Sequence, residues 1–101
     1  MSDSNTYRVK SEVWQYPGMA GWYFLSIPKK QSADIKKRFG AKKRGWGSLP
    51  IFATIGKTTW QTSIFPDKKS GSYLLPLKAA IRKKEAIKGR DVVSFVIKLR
   101  V

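Results

Sequence analysis

The sequence contains no cysteine and no histidine. Without cysteine there is no disulfide, no thiol nucleophile and no thiolate metal site. Without histidine the chain lacks the side chain best suited to acid–base work near neutral pH, which is also the commonest metal ligand. Acidic residues are scarce, six Asp plus Glu among 101 residues. Any catalysis would have to run on carboxylates, lysine or tyrosine, so the expectation is a non-enzymatic protein with no cofactor, no metal and no catalytic residues. No apolar run approaches the roughly 18 residues of a membrane span, and residues 1–10 carry no apolar segment of the secretory type. A soluble, cytoplasmic protein with no membrane partner is therefore expected.

Positive charge is abundant. Twenty-one Lys plus Arg give a formal net charge of +15. Such a field attracts polyanions and speeds their encounter, although it does not specify a fold. A hydrophobic fraction of 42% with 13% aromatic residues supplies one core. A chain this size buries roughly 65% of the surface exposed when unfolded. We expect a flexible tail over residues 1–6 and a single domain, monomeric, over residues 7–101.

Periodicity indicates a mostly β chain. Tyr7, Val9 and Val13 alternate with Arg8, Lys10 and Glu12 over residues 7–15, and Pro17-Gly18 breaks the strand. Residues 22–27 (WYFLSI) read as a second, well-buried strand. Ser32 reads as a helix N-cap with Asp34 in the first turn, Ile35 and Phe39 as the apolar stripe, and Gly40 as the stop. Leu49, Ile51, Ala53 and Ile55 share a strand face. Gly56-Lys57 closes a hairpin onto residues 58–65, where Trp60, Thr62 and Ile64 share a face. A strand over residues 72–75 leads to a second helix over residues 78–86, with Leu77, Ala80 and Ile81 inward. Val93, Phe95, Ile97 and Leu99 mark the last strand. Six or seven strands with two short helices predict a small β-barrel, closed or nearly so. Ile27-Pro28-Lys29 and Leu75-Pro76-Leu77-Lys78 each link a strand to a helix, an internal echo that either a duplication or the ordinary habit of proline at helix starts would produce.

The runs RGWGSLPIFATIG (residues 44–56), TTWQTSIFPD (58–67) and SYLLPLKAAIRKKEAI (72–87), preceded by WYFLSIP (22–28) and SADIKKRF (32–39), resemble in order and spacing the bacterial and archaeal family called domain of unknown function one-nine-zero-five. The resemblance covers about four fifths of the chain. It implies a mostly β fold, a small double-split β-barrel of six or seven strands capped by two short helices, and no assigned activity; members occur alone or fused to a YdeI/OmpD-associated domain. The second strand–helix–turn–strand unit is also similar to AbrB/MazE-type transcription factors, which build such a barrel from two chains and bind DNA with it. Arg90 departs from both patterns by standing where they usually place glycine, with Gly89 one residue early. Glycine tolerates positive φ, so an altered turn is expected there. The strong basicity belongs to this chain and does not come from the resemblance.

Two basic clusters are candidate polyanion or nucleic-acid sites. The first is Lys36, Lys37 and Arg38 with Lys42, Lys43, Arg44 and Trp46. Glycines 40, 45 and 47 let backbone N–H groups approach a phosphate, and Trp46 can stack on a base. The competing reading is a solvated lysine face with Trp46 folded onto the core. The second is Lys78, Arg82, Lys83, Lys84, Lys88 and Arg90, where an ordinary amphipathic helix exterior competes. Thr59, Gln61 and Ser63 share a strand face. A small-anion pocket or enzyme site would require Arg44, Ser63, Lys78 and Arg82 to converge. Asp34, Asp67 and Asp91 fall where caps and turns explain them, and no phosphate-loop, dinucleotide or metal motif occurs. The expected function is phosphate-mediated polyanion binding with little sequence discrimination. A protein-interaction module is the alternative, to be recognised by an exposed patch containing Trp14, Tyr16 or Trp46.

Overall fold

The computed structural model describes residues 4–19 and 21–101, so residues 1–3 of the expected tail and Ala20 lie outside it. The elements are β1 (Thr6–Gln15), β2 (Tyr23–Ser26), α1 (Lys29–Phe39), β3 (Leu49–Ile55), β4 (Thr58–Asp67), β5 (Ser72–Pro76), α2 (Ala79–Lys84) and β6 (Val92–Leu99). The six strands close into a barrel in the order β1-β2-β5-β4-β3-β6. Every adjacent pair is antiparallel. Closure removes the unpaired edges that an open sheet would expose.

Two long strands each serve two partners. β1 pairs with β6 from Thr6 to Glu12 and then with β2 from Val13 to Gln15. β4 pairs with β3 from Leu49↔Ile64 to Ile55↔Thr58, then with β5 from Phe65 to Asp67. This is the double split that the chain's resemblance implies. The internal echo has a structural counterpart. Exchanging β1, β2 and β3 for β4, β5 and β6 leaves the circular strand order unchanged. Around the Leu25↔Leu75 pair, Ile27 N–H donates to Tyr73 C=O and Leu77 N–H to Tyr23 C=O, each at 2.8 Å.

The interior follows from alternation. Val9, Leu25, Ile51, Ile64, Leu75, Phe95 and Ile97 project into one core and are almost completely shielded. Ile35 of α1 and Leu77, just before α2, close it at the two ends. No helix is long and apolar enough to cross a membrane among the described residues.

Both helix readings need correction. α1 starts at Lys29, after Pro28, and no acidic residue lies in its first turn. Ser32 is therefore inside the helix and buried. Its hydroxyl donates to Ile27 C=O at 2.9 Å and accepts from Tyr73 N–H at 3.0 Å, tying helix to sheet. The serine is where a cap residue would be, but the Tyr73 partner is distant in sequence. Gly40 has right-handed φ, so the helix is not stopped by a left-handed glycine; it tightens into a 3₁₀ turn, Gly40–Lys42, and ends at extended Lys43. α2 is shorter than expected, and Ala80 faces solvent. Ile87 N–H reaches Arg82 C=O and Ala86 N–H reaches Lys83 C=O, a Schellman ending with Ala86 at φ 53° in the usual glycine place. Trp22, read as part of a buried strand, is 54% exposed just before β2.

Candidate nucleic-acid interface

β2 and β5 are antiparallel neighbours, and each runs into its own helix. α1 and α2 therefore sit at opposite ends of the barrel, and the two basic clusters go with them. They do not share a face. Sequence separation alone could not reveal this, because it depends on which strands pair.

At the α1 end, Lys36, Lys37, Lys42, Lys43 and Arg44 are exposed, and Trp46 is 93% exposed. The competing reading, Trp46 folded onto the core, is thereby overturned. Trp46 has φ 63°, a left-handed conformation unfavourable for a bulky side chain. Gly47 follows at φ 75°, and a Cβ there would stand 3.0 Å from Pro66 Cγ. Glycine thus lets the loop close onto β4 and hold the indole outward. Several of the loop's backbone N–H groups are already engaged. The N–H groups of Lys43, Arg44, Gly47 and Ser48 all donate to carbonyls within the loop.

Arg38 has a structural post. Its guanidinium donates to the Tyr7 hydroxyl at 2.7 Å, contacts the Asp34 carboxylate at 3.4 Å and reaches the Ser4 carbonyl. It also lies 4.8 Å from the centre of the Phe39 ring. Asp34 accepts from Tyr7 at 2.6 Å, so its role is tertiary, not the capping expected of it. Burial, aided by this bond to Asp34, pushes the Tyr7 hydroxyl up to about 12, and the same bond lowers the Asp34 carboxyl. Asp67 and Asp91 do hold turns, bonding Ser70 and the Lys88 N–H.

At the α2 end, Lys78, Lys83, Lys88 and Arg90 are exposed. Arg82 is half-buried: it stacks 3.9 Å from the Tyr23 ring centre and donates to Leu77 C=O. Arg90 has φ 72°. The residue at this position is thus left-handed, and arginine, not glycine, bears the strain. Of the four residues named for a small-anion pocket, Lys78 lines the groove described next. Arg44 lies in the Trp46 loop, and Ser63 sits opposite Pro50 in the ladder. Thr59 and Gln61 are exposed, with the Thr59 and Thr54 hydroxyls 2.9 Å apart.

Trp14 and Tyr16, named as candidates for an exposed patch, belong to a second apolar layer on the outside of the barrel, whose other members the sequence reading missed. Phe24 and Leu74 are buried at 9% and 8% exposure, yet they point away from the interior. Trp14 packs 5.3 Å from Phe24, Tyr16 6.1 Å and Trp22 6.3 Å, between ring centres. Trp14 Nε1 donates to Ser26 Oγ at 2.9 Å. A groove of about 740 Å³ runs along this face, lined by Trp22, Phe24, Phe65, Leu74, Pro76 and Lys78 among others. The available signal was the run WYFLSI. It does not alternate, so both faces of β2 must be apolar.

Barrel, charge and exposed aromatics define a class: a small basic β-barrel protein whose distinctive surface chemistry is cationic and aromatic. The family model described as Domain of unknown function (DUF1905) matches residues 10–97, and the chain belongs to that family. No curated protein matches the chain.

Proposed function

We propose that this protein is a non-enzymatic polyanion-binding module that holds nucleic acid through phosphate contacts, with little sequence discrimination. One observation carries the reading: Trp46, 93% exposed on a left-handed backbone, stands in a loop with Lys42, Lys43 and Arg44. Neither burial nor local backbone preference favours that placement, and strain of this kind gathers at functional positions. A cationic loop presenting an aromatic ring suits a phosphate backbone with bases beside it. The net charge of +15 supplies long-range attraction.

Side-chain phosphate contacts bring salt sensitivity, and non-specific affinity belongs near 10⁻⁴–10⁻⁶ M at physiological salt, in order of magnitude. Fluorescence anisotropy with labelled single-stranded RNA and duplex DNA across a salt series tests this. The expected result is roughly micromolar binding with a steep negative log–log slope. Replacing Lys42, Lys43 and Arg44 by alanine should make that slope shallower, by about 0.7–0.9 for each phosphate these side chains neutralise. Absence of binding at about 50 mM salt, with protein well above micromolar, rejects the reading.

A further inference from the structure

The outer face of the β1-β2-β5-β4 sheet joins the two basic ends. At the α1 end, Gly47 of the Trp46 loop packs against Pro66, the neighbour of Phe65. At the α2 end, Lys78 lines the groove and Arg82 stacks on Tyr23, another lining residue. Between them lie Phe65, Leu74, Phe24 and Trp22. β5, which runs the length of this face, has five residues and spans about 17 Å.

We propose that this face is a base-stacking platform for single-stranded nucleic acid, an inference that rests on the polyanion reading above and names its substrate class. Three observations converge. Trp22, Tyr16 and Phe65 remain 54%, 44% and 37% exposed around a floor of buried Phe24 and Leu74, so flat apolar rings face solvent on a prepared base. None of the described residues lining the groove is acidic, and Lys78 among them is cationic. The barrel as a whole carries +15, which selects an anionic occupant over an uncharged apolar one. An occupant with planar apolar groups strung on an anionic backbone satisfies both features. In a duplex those planar faces are already stacked on each other. Only unpaired bases offer them to Trp22 and Phe65.

The test uses the full chain and three labelled polyanions of equal length, about 15 nucleotides to suit one barrel: oligothymidylate, its abasic deoxyribose-phosphate counterpart, and a duplex. Each is titrated at one salt concentration against wild type, Trp22→Ala and Phe65→Ala, with circular dichroism checking that each variant is folded; the oligothymidylate titrations are repeated across a salt series. Oligothymidylate should bind about tenfold or more tightly than the abasic strand, as one or two stacked bases require. Either variant should remove most of that advantage and leave the salt slope unchanged, because phosphate contacts are elsewhere. Phe65→Ala serves if Trp22→Ala fails to fold. Equal affinity for oligothymidylate and the abasic strand overturns the platform while leaving the polyanion reading intact. So does a preference untouched by both variants, which places the stacking at Trp46 instead. Failure of all three ligands to bind overturns the polyanion reading along with it.

Discussion

Among the described residues, three that are not glycine, Trp46, Ala86 and Arg90, hold positive φ angles of 63°, 53° and 72°. An L side chain in this region costs roughly 1–2 kcal/mol through contact of Cβ with its own backbone. Ala86 and Arg90 have simple reasons to be there: one ends α2 in a Schellman motif, and the other completes the turn into β6. Glycine at either position relieves the contact but gives the unfolded chain more freedom, which offsets part of the gain. Ala86→Gly and Arg90→Gly should each stabilise the protein by about 0.5–1 kcal/mol, read from urea midpoints with an unchanged m-value. Equal or lower midpoints would show that the strain is relaxed elsewhere. Trp46 differs in that its ring is held out into solvent, and its replacement is to be judged by binding. Gly56 shows the opposite case. It has φ 55°, and a Cβ would collide with the Glu85 carboxylate that accepts a hydrogen bond from the Thr58 hydroxyl at 2.5 Å.

At the scale of elements, α1 is held less by its own caps than by what it touches. Pro28 precedes it, no side chain caps it, and its last turn carries Lys36, Lys37 and Arg38, the sign that suits a helix C-terminus. Ser32 provides a buried polar link to the sheet. Removing its hydroxyl leaves the buried Tyr73 N–H without that acceptor and Ile27 C=O without that donor. Ser32→Ala should therefore destabilise by about 1–3 kcal/mol, in the range of an abandoned buried backbone group. Chemical denaturation measures it; a loss below about 0.5 kcal/mol would mean that water or a shifted strand replaces the hydroxyl. The short strands were readable because β-periodicity survives burial on one face. Leu49, Ile51, Ala53 and Ile55 are all buried, as are Val93, Phe95, Ile97 and Leu99. Helix starts were less readable. Ser32 satisfies the local pattern of a cap, and only contact with Tyr73, distant in sequence, reveals a different role.

For the whole molecule, twenty-one cationic residues against six acids leave a large self-repulsion. Between described residues the structure records one ion pair, Arg38–Asp34, at 3.4 Å and part-exposed, so local pairing does little to relieve it. Raising sodium chloride from about 10 to about 300 mM at neutral pH shortens the screening range from about 30 Å to less than 8 Å. Screening should raise the melting temperature, since repulsion disfavours the compact state. A melting temperature that stays flat or falls would show that the charges are spaced widely enough not to matter. Salt should thus strengthen the fold and weaken polyanion binding, opposite signs from the same charges.

The sequence by itself determined the strand interiors, the two helices in outline, the barrel class and the cationic surface. Each follows from local periodicity or from composition, which survive without knowledge of neighbours. Resemblance in three ordered motifs also pointed to the family that residues 10–97 match. Long-range strand pairing decided that the two basic clusters occupy opposite barrel ends, because that depends on β2 lying antiparallel to β5. The tertiary structure decided too that Arg38 and Arg82 bind aromatic rings of the protein itself, and that Trp14, Tyr16, Trp22 and Phe24 meet on the outside of the sheet. Sequence reveals that a residue is apolar. Which surface it covers is set by strand register and closure, where residues far apart in the chain become neighbours.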